Sequence, residues 1–318
     1  MANSIGANFD QEKAKVLPVK PFLKWAGGKT QLLETLNELY PKALKNGECS
    51  HYIEPFIGGG AVFFDMLQKY PIKSAYISDI NFEVIIAYKV IQKSVDKLIE
   101  ELGDLSAKYQ ALNEEKKQDF FYQIRDKYNE QKDQLSYSNS SEFGVERSAM
   151  LIFLNKTCFN GLFRTNKRGY FNVPYGKYKN PTILNKTNLL AVADALQIAD
   201  IELADFSESI KYIKKNSFVY FDPPYRPLNK TSNFTAYSAF EFDDTQQKRL
   251  ADFYKKLHRD YKIYLMLSNS DPKNENPEDK FFDELYQDFT IQRVSAKRMI
   301  NSKASKRGSI YELIITNY

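Results

Sequence analysis

Cysteine, histidine and tryptophan are scarce: 318 residues include two cysteines, two histidines and one tryptophan. Cys49 and Cys158 show no CxxC spacing, and with only His51 and His258 beside them the chain lacks the ligand set of a structural zinc site or a disulfide framework. No metal is therefore expected. Long apolar runs are missing too. Nowhere does one approach the ~20 residues that span a bilayer, and Met1 to Pro18 lacks the apolar core of a signal peptide. The expectation is a soluble protein of the reducing cytoplasm with no membrane partner. Both familiar phosphate fingerprints are absent as well. Gly27-Gly28-Lys29-Thr30 looks like the end of a P-loop, but Leu23 stands where the first glycine belongs and Trp25 lies inside the loop. The cluster at Gly58 departs from GxGxxG because its sixth position is Phe63, which disfavours a nicotinamide enzyme.

What is present is a 43% hydrophobic chain, enough for one large domain or a catalytic domain carrying an insertion. Its net charge of +5 is unevenly spread. From Leu151 to Ala193 there is no acid, while Lys156, Arg164, Lys167, Arg168, Lys177, Lys179 and Lys186 are basic. From Arg293 to Ser309 six more cations occur without an acid, so the rest of the chain is net acidic. Two basic segments on an acidic body fit a polyanionic partner, although solvated loops have the same composition.

The pattern of strand, glycine turn and helix predicts a doubly wound parallel α/β sheet. Tyr52-Ile53 reads as a strand entering Glu54-Pro55-Phe56 and the turn Gly58-Gly59-Gly60, with a helix over Ala61–Gln68. Ala75–Ser78 is a second strand, ended by Asp79. A helical stretch from about Phe82 to Gln134 precedes the acid-free segment and reads as an inserted, mainly helical domain. Strands resume near Ile201–Ala204, Phe218–Phe221 and Ile263–Leu267. Phe289–Val294 and Ile310–Thr316 read as a closing antiparallel hairpin with a long tip. The implied division is an N-terminal extension over 1–19, a catalytic domain over 20–88 and 190–318, and a recognition domain over 89–189.

Glycines after a first strand let backbone approach a ligand, and an acid at the end of the second strand binds ribose hydroxyls. Asp79 lies about twenty residues beyond Gly58, the spacing of that arrangement. A nucleoside cofactor without pyrophosphate needs these parts and no phosphate cradle, and S-adenosylmethionine meets that description. Plain turn chemistry needs the same residues. Tyr220-Phe221-Asp222-Pro223-Pro224-Tyr225 is the sharper motif. Two prolines remove two backbone donors and stiffen the turn, so the Asp222 carboxylate and the Pro223 carbonyl can lie side by side at the carboxyl edge of the sheet. Two adjacent acceptors match one amino group. Gripping both protons of adenine N6 favours a localised lone pair for direct displacement on a sulfonium, with Tyr225 stacked on a base flipped from its duplex.

Together these segments resemble the Dam family of adenine-N6 DNA methyltransferases. The resemblance is carried by Phe22 to Lys29, Glu54 to Gly60, Ser78 to Asn81, Asn160 to Arg164, Phe171 to Gly176, Asp205-Phe206, Asp222 to Tyr225 and Asn233 to Tyr237, and it covers nearly the whole chain from Pro21 to Tyr318. It implies a Rossmann-like methyltransferase sheet with an inserted recognition domain. It also implies S-adenosylmethionine contacts by Trp25, Ala26, Gly27, Lys29, Glu54, Pro55, Phe56, Gly58, Gly60, Asp79, Ile80, Asp205, Phe206 and Asp222. The target base would be held by Asp222, Pro223, Pro224 and Tyr225 under a loop containing Tyr237. Double-stranded DNA would be read by Lys24, Leu162, Arg164 and Pro174, with phosphates held by Asn160, Asn172 and Lys177. Phe159 would wedge into the stack where the family more usually has tyrosine, which keeps stacking and loses a hydroxyl. The matching reading residues imply GATC as the target, and the protein is expected to be a monomer that associates with the nucleoid through DNA. Methylation of RNA adenine or protein glutamine, and a catalytically idle DNA-binding regulator, are the rival readings. Neither rival methylation explains the recognition insertion, and a regulator has no use for Trp25, Lys29, Asp79 and the tetrapeptide together.

Overall fold

The computed structural model describes residues 18–132, 140–226, 242–297 and 309–318. Residues 1–17, the Asn233 to Tyr237 loop and the tip at 298–308 lie outside the described residues.

Seven strands form one sheet in the order β3-β2-β1-β4-β5-β7-β6. They are β1 (His51–Glu54), β2 (Ser74–Asp79), β3 (Ala199–Leu203), β4 (Ser217–Phe221), β5 (Tyr264–Ser270), β6 (Thr290–Lys297) and β7 (Ser309–Thr316). The first five are parallel, and β7 pairs antiparallel with both β5 and β6. Strand residues alternate between two cores, as the period of two requires. Tyr52, Ala75, Ile77, Phe218, Tyr220 and Ile314 enter one core, while Ile53, Tyr76, Val219, Phe221, Leu313 and Ile315 enter the other. This near-continuous apolar content suits a sheet covered on both faces, and it bears out the expected α/β class.

Nine helices are described: α1 (Leu33–Leu39), α2 (Lys42–Lys45), α3 (Ala61–Lys69), α4 (Phe82–Gln110), α5 (Glu114–Lys132), α6 (Ser140–Thr157), α7 (Lys186–Ala195), α8 (Asp244–Asp260) and α9 (Phe281–Leu285). The single helical stretch expected from Phe82 to Gln134 is two helices, because Asn113 offers its side-chain oxygen to Lys116 N at 2.9 Å and starts α5 afresh. Asn81 caps α4 in the same way, accepting from Glu83 N at 3.1 Å and Val84 N at 3.4 Å. Helix α4 crosses residue 88 unbroken and departs from helical geometry at Ser94. Its first turns and α6 share one apolar core, which joins Tyr88 and Ile91 to Leu151 and Phe153. Arg147 of α6 pins this junction. Buried, it donates to Glu83 at 2.7 Å and 2.5 Å and to the Tyr128 carbonyl at 2.8 Å, with its guanidinium 3.9 Å from the Tyr128 ring centroid. Leaving Glu83 unpaired there would cost about 3–5 kcal/mol.

Candidate active site

The parallel strands switch direction of winding at β1, which lies between β2 and β4, so a crevice opens beyond their carboxyl ends. Glu54 ends β1, Asp79 ends β2 and Asp222 follows β4. Asp79 Oδ2 accepts Gly58 N at 3.0 Å and Oδ1 accepts Asn81 N at 2.8 Å, so one side chain ties the glycine turn to the start of α4. Burial pushes its carboxyl up against the pull of these bonds. The Ile80 backbone N–H is a third donor to this carboxylate. Glu54, buried and bonded by Tyr52 Oη at 2.7 Å, is pushed well above the carboxylate range by burial, and nearby Asp222 and Asp79 add to the rise. The turn between them needs glycine. Gly58 has φ +44°, and a Cβ there would lie 2.7 Å from Nε1 of Trp25.

Lys29 is the hub of the chemistry-bearing cluster. It is 3% exposed, and its ammonium donates to Asp222 Oδ1 at 2.6 Å, Tyr225 Oη at 3.1 Å and the Gly27 carbonyl at 3.3 Å, with Glu312 Oε2 at 3.8 Å. Burial disfavours its charge, but Asp222, Tyr225 and Glu312 outweigh that and hold it well above its ordinary pKa. Asp222 Oδ1 also accepts from Ser268 Oγ at 3.2 Å, and Ser268 in turn contacts Tyr220 Oη at 2.7 Å. Burial raises the Asp222 carboxyl, and Lys29 opposes the rise. The diproline turn is braced from α8, where buried Gln247 donates to the Pro224 carbonyl at 3.0 Å. Arg226, next along, bonds Asp244 and Asp279. The described hydrogen bonds of Asp222 all use Oδ1, and none is described for the Pro223 carbonyl. Among the described residues, two acceptor atoms of the expected pair therefore have spare capacity.

The structure thus brings Trp25 to Lys29, Glu54 to Gly60, Asp79 and Asp222 to Tyr225 to one strand edge. Asp205 and Phe206 sit beyond β3 on the same edge. Asp205 caps the following turn through Ser207 N at 3.0 Å and is ion-paired with Arg249. Phe206 is buried, stacked on Phe56 at 5.5 Å, with Arg249 over its ring at 4.3 Å. Tyr237 lies outside the described residues.

The expected DNA-reading residues occupy two arms joined by Cys158↔Tyr175 and Thr165↔Phe171 bridges. Phe159, Asn160, Leu162 and Arg164 lie on one arm, and Asn172, Pro174 and Lys177 on or just beyond the other. Phe159 N donates to the Pro174 carbonyl at 2.8 Å, yet 52% of the residue is exposed. Arg164 Nε donates to Asn172 Oδ1 at 2.8 Å, which aims the guanidinium. Asn160 and Lys177 both adopt positive φ, at 56° and 53°. Helix α5 holds the second arm through Asn129, which bonds Phe171 N at 2.8 Å and Phe171 O at 3.1 Å. The segment from Lys24 to Lys29 links the arms to the acidic cluster. Asn155 grips the Lys24 backbone at 2.8 Å and 2.9 Å, and Trp25 stacks on Phe163 at 5.6 Å. Lys24 and Lys156 line a depression of about 310 Å³ with Tyr178, Asn180, Pro181 and Thr182. Burial there, with Lys24 adding its repulsion, pulls the Lys156 ammonium down to about 8.

Ser268, Gln247 and Glu312 were not singled out from the sequence, and Lys156 was named there only as one cation of the acid-free segment. Glu312 had a readable sign: in Ile310-Tyr311-Glu312-Leu313-Ile314 it takes the inward period-two position shared by Ile314. The run Ser268-Asn269-Ser270 ending an apolar strand was another.

Comparison with known proteins gives the same picture. Residues 25–300 match the family described as D12 class N6 adenine-specific DNA methyltransferase. The chain is 51% identical to the type II methyltransferase M.MjaIII of Methanocaldococcus jannaschii, over 95% of this chain and 100% of that protein. It is 37% identical to the type II methyltransferase M1.LlaDCHI of Lactococcus lactis subsp. cremoris, over 94% and 96%. It is 34% identical to the DNA adenine methylase of Haemophilus influenzae, over 93% and 92%. An acceptor-bearing diproline turn beside a glycine-and-acid crevice, carried by a chain matched over most of its length, makes this protein a member of the D12 class of N6 adenine-specific DNA methyltransferases.

Proposed function

We propose that the protein binds S-adenosylmethionine at the Gly58–Asp79 crevice and methylates N6 of an adenine flipped out of duplex DNA, within GATC. The observation that carries this reading is the Asp222 constellation. One carboxylate oxygen is anchored by Lys29 and Ser268, while the other oxygen and the Pro223 carbonyl carry no bond among the described residues, on a braced turn. A cationic cofactor suits the site, because three buried or half-buried carboxylates, Glu54, Asp222 and Glu312, act on the Lys29 ammonium, and a fourth, Asp79, lies near Glu54.

When bound, the cofactor supplies an electrophilic methyl group. Gly58 and Trp25 shape its pocket, Asp79 offers acceptors to ribose hydroxyls, and Phe56 over Phe206 offers an aromatic surface to a nucleobase. Asp222 Oδ2 and the Pro223 carbonyl accept the two N6 protons, and their fixed positions contribute preorganised electrostatics rather than covalent chemistry. Because burial raises its pKa, Asp222 is suited to take the proton that N6 sheds. Tyr225 stacks on the base. Phe159, being exposed, is available to fill the stack vacated by flipping. A polyanion would relieve the Lys24–Lys156 repulsion. GATC rests on the resemblance of Lys24, Leu162, Arg164 and Pro174 to the Dam pattern. The same resemblance divides the chain into a catalytic domain (20–88 and 190–318) and a recognition domain (89–189).

Incubation with tritiated S-adenosylmethionine and matched duplexes containing GATC or the scrambled GTAC tests the reading. Label should enter only the GATC duplex, and Asp222→Ala should abolish transfer while DNA affinity stays within a few-fold. Equal labelling of both duplexes removes the GATC assignment, and transfer to RNA or protein instead of DNA removes the substrate.

A further inference from the structure

The carboxylate of Glu312 enters the scheme above only as negative charge near Lys29, yet it is 5% exposed and lies within the cluster. It sits in β7, opposite Ser270 of β5 and Val294 of β6, on a strand otherwise committed to Leu313, Ile314 and Ile315 of the two cores. A carboxylate so placed costs stability unless it is fully used. Pairing with Lys29 accounts for only part of it. The ammonium is already 2.6 Å from Asp222, and Glu312 Oε2 stands 3.8 Å away without a hydrogen bond among the described residues. The short contact of Glu312 is to Tyr225, whose hydroxyl donates to Oε1 at 2.5 Å, the length of a strong O–H···O⁻ bond. The same hydroxyl accepts from Lys29 at 3.1 Å.

We propose that Glu312 is a positioning residue for methyl transfer, fixing the para end of the Tyr225 ring to β7 so that the ring is preset against the target base. This rests on the proposed role of Asp222 to Tyr225. A phenyl ring at 225 would be held by packing alone. The hydroxyl makes it a strut between the sheet and Lys29, and it sets the ring with the same ammonium that anchors Asp222. One charge thus registers the stacking surface and the acceptor pair against each other, and Glu312 is the fixed end of that arrangement. It touches neither base nor cofactor in this scheme.

Single-turnover transfer from tritiated S-adenosylmethionine to unmethylated genomic DNA, with DNA affinity by filter retention and thermal melting as separate readouts, tests the proposal. Glu312→Ala should slow transfer about tenfold or more with DNA affinity within about twofold. Glu312→Gln, whose amide can hydrogen-bond the phenol in either orientation, should recover to within about threefold of wild type. In a Tyr225→Phe background, where no hydroxyl remains to hold, Glu312→Ala should cost no more than about twofold further. The positioning role is overturned if Glu312→Ala matches wild type, if Glu312→Gln loses as much as Glu312→Ala, or if the full loss persists in the Tyr225→Phe background. Failure of the underlying reading looks different: Asp222→Ala would then transfer as fast as wild type.

Discussion

Replacing Lys29 by methionine keeps the aliphatic volume and removes the ammonium shared by Asp222 and Glu312. The Lys29, Asp222 and Glu312 side chains are 2%, 21% and 6% exposed, so the carboxylates are left partly or wholly out of water without their counter-charge. Breaking a buried pair from one side costs about 3–5 kcal/mol. Water can reach Asp222, which places the expected loss at the lower end, about 3 kcal/mol near pH 8. The orphaned carboxyls can escape by taking up protons. Burial already raises both, and Lys29 is the influence holding them down, so its removal raises the folded-state values further while the unfolded values stay put. A group whose folded pKa is raised is bound more tightly to its proton in the native state, so its contribution is present at low pH and is lost as pH rises through the folded pKa. The deficit should therefore be smaller at pH 5.5 than at pH 8. Guanidinium unfolding of wild type and Lys29→Met at the two pH values measures it. A deficit below about 1 kcal/mol, or one larger in acid than in alkali, would refute the view of Lys29 as a buried counter-charge.

Two further outcomes follow from the geometry. Gly58→Ala places a side chain at φ +44°, at a cost of about 1–2 kcal/mol, and drives its Cβ onto Trp25. Titration calorimetry should show cofactor affinity reduced at least about tenfold in a folded protein, and unchanged affinity would move the pocket elsewhere. Arg164, aimed by Asn172 and otherwise exposed, should on replacement by alanine lose about 1–3 kcal/mol of discrimination at one base pair. Competition between duplexes altered singly at each position measures this, and a uniform loss on all of them would make Arg164 a phosphate contact instead.

Local chemistry sufficed for much of this site. Asp79 at the end of an apolar strand, the Gly58 turn and the Asp222 to Tyr225 tetrapeptide are contiguous motifs, and short apolar runs ended by turn residues placed their strands within a residue or two. The break at Asn113 is a near miss of the same kind: a capping side chain interrupts a pattern that apolar periodicity alone carries through.

What the sequence by itself determined is which residues end each strand, since that follows from short-range turn and pleat geometry. Only the tertiary structure decided which distant residues meet there. Lys29 reaches Asp222 across 193 positions and Tyr225 reaches Glu312 across 87, through a strand order that no local pattern encodes. The partners of Ser268, Gln247 and Glu312 became visible in that way alone. A buried polar side chain takes its role from the partner that satisfies it, and that partner is supplied by packing of the whole sheet.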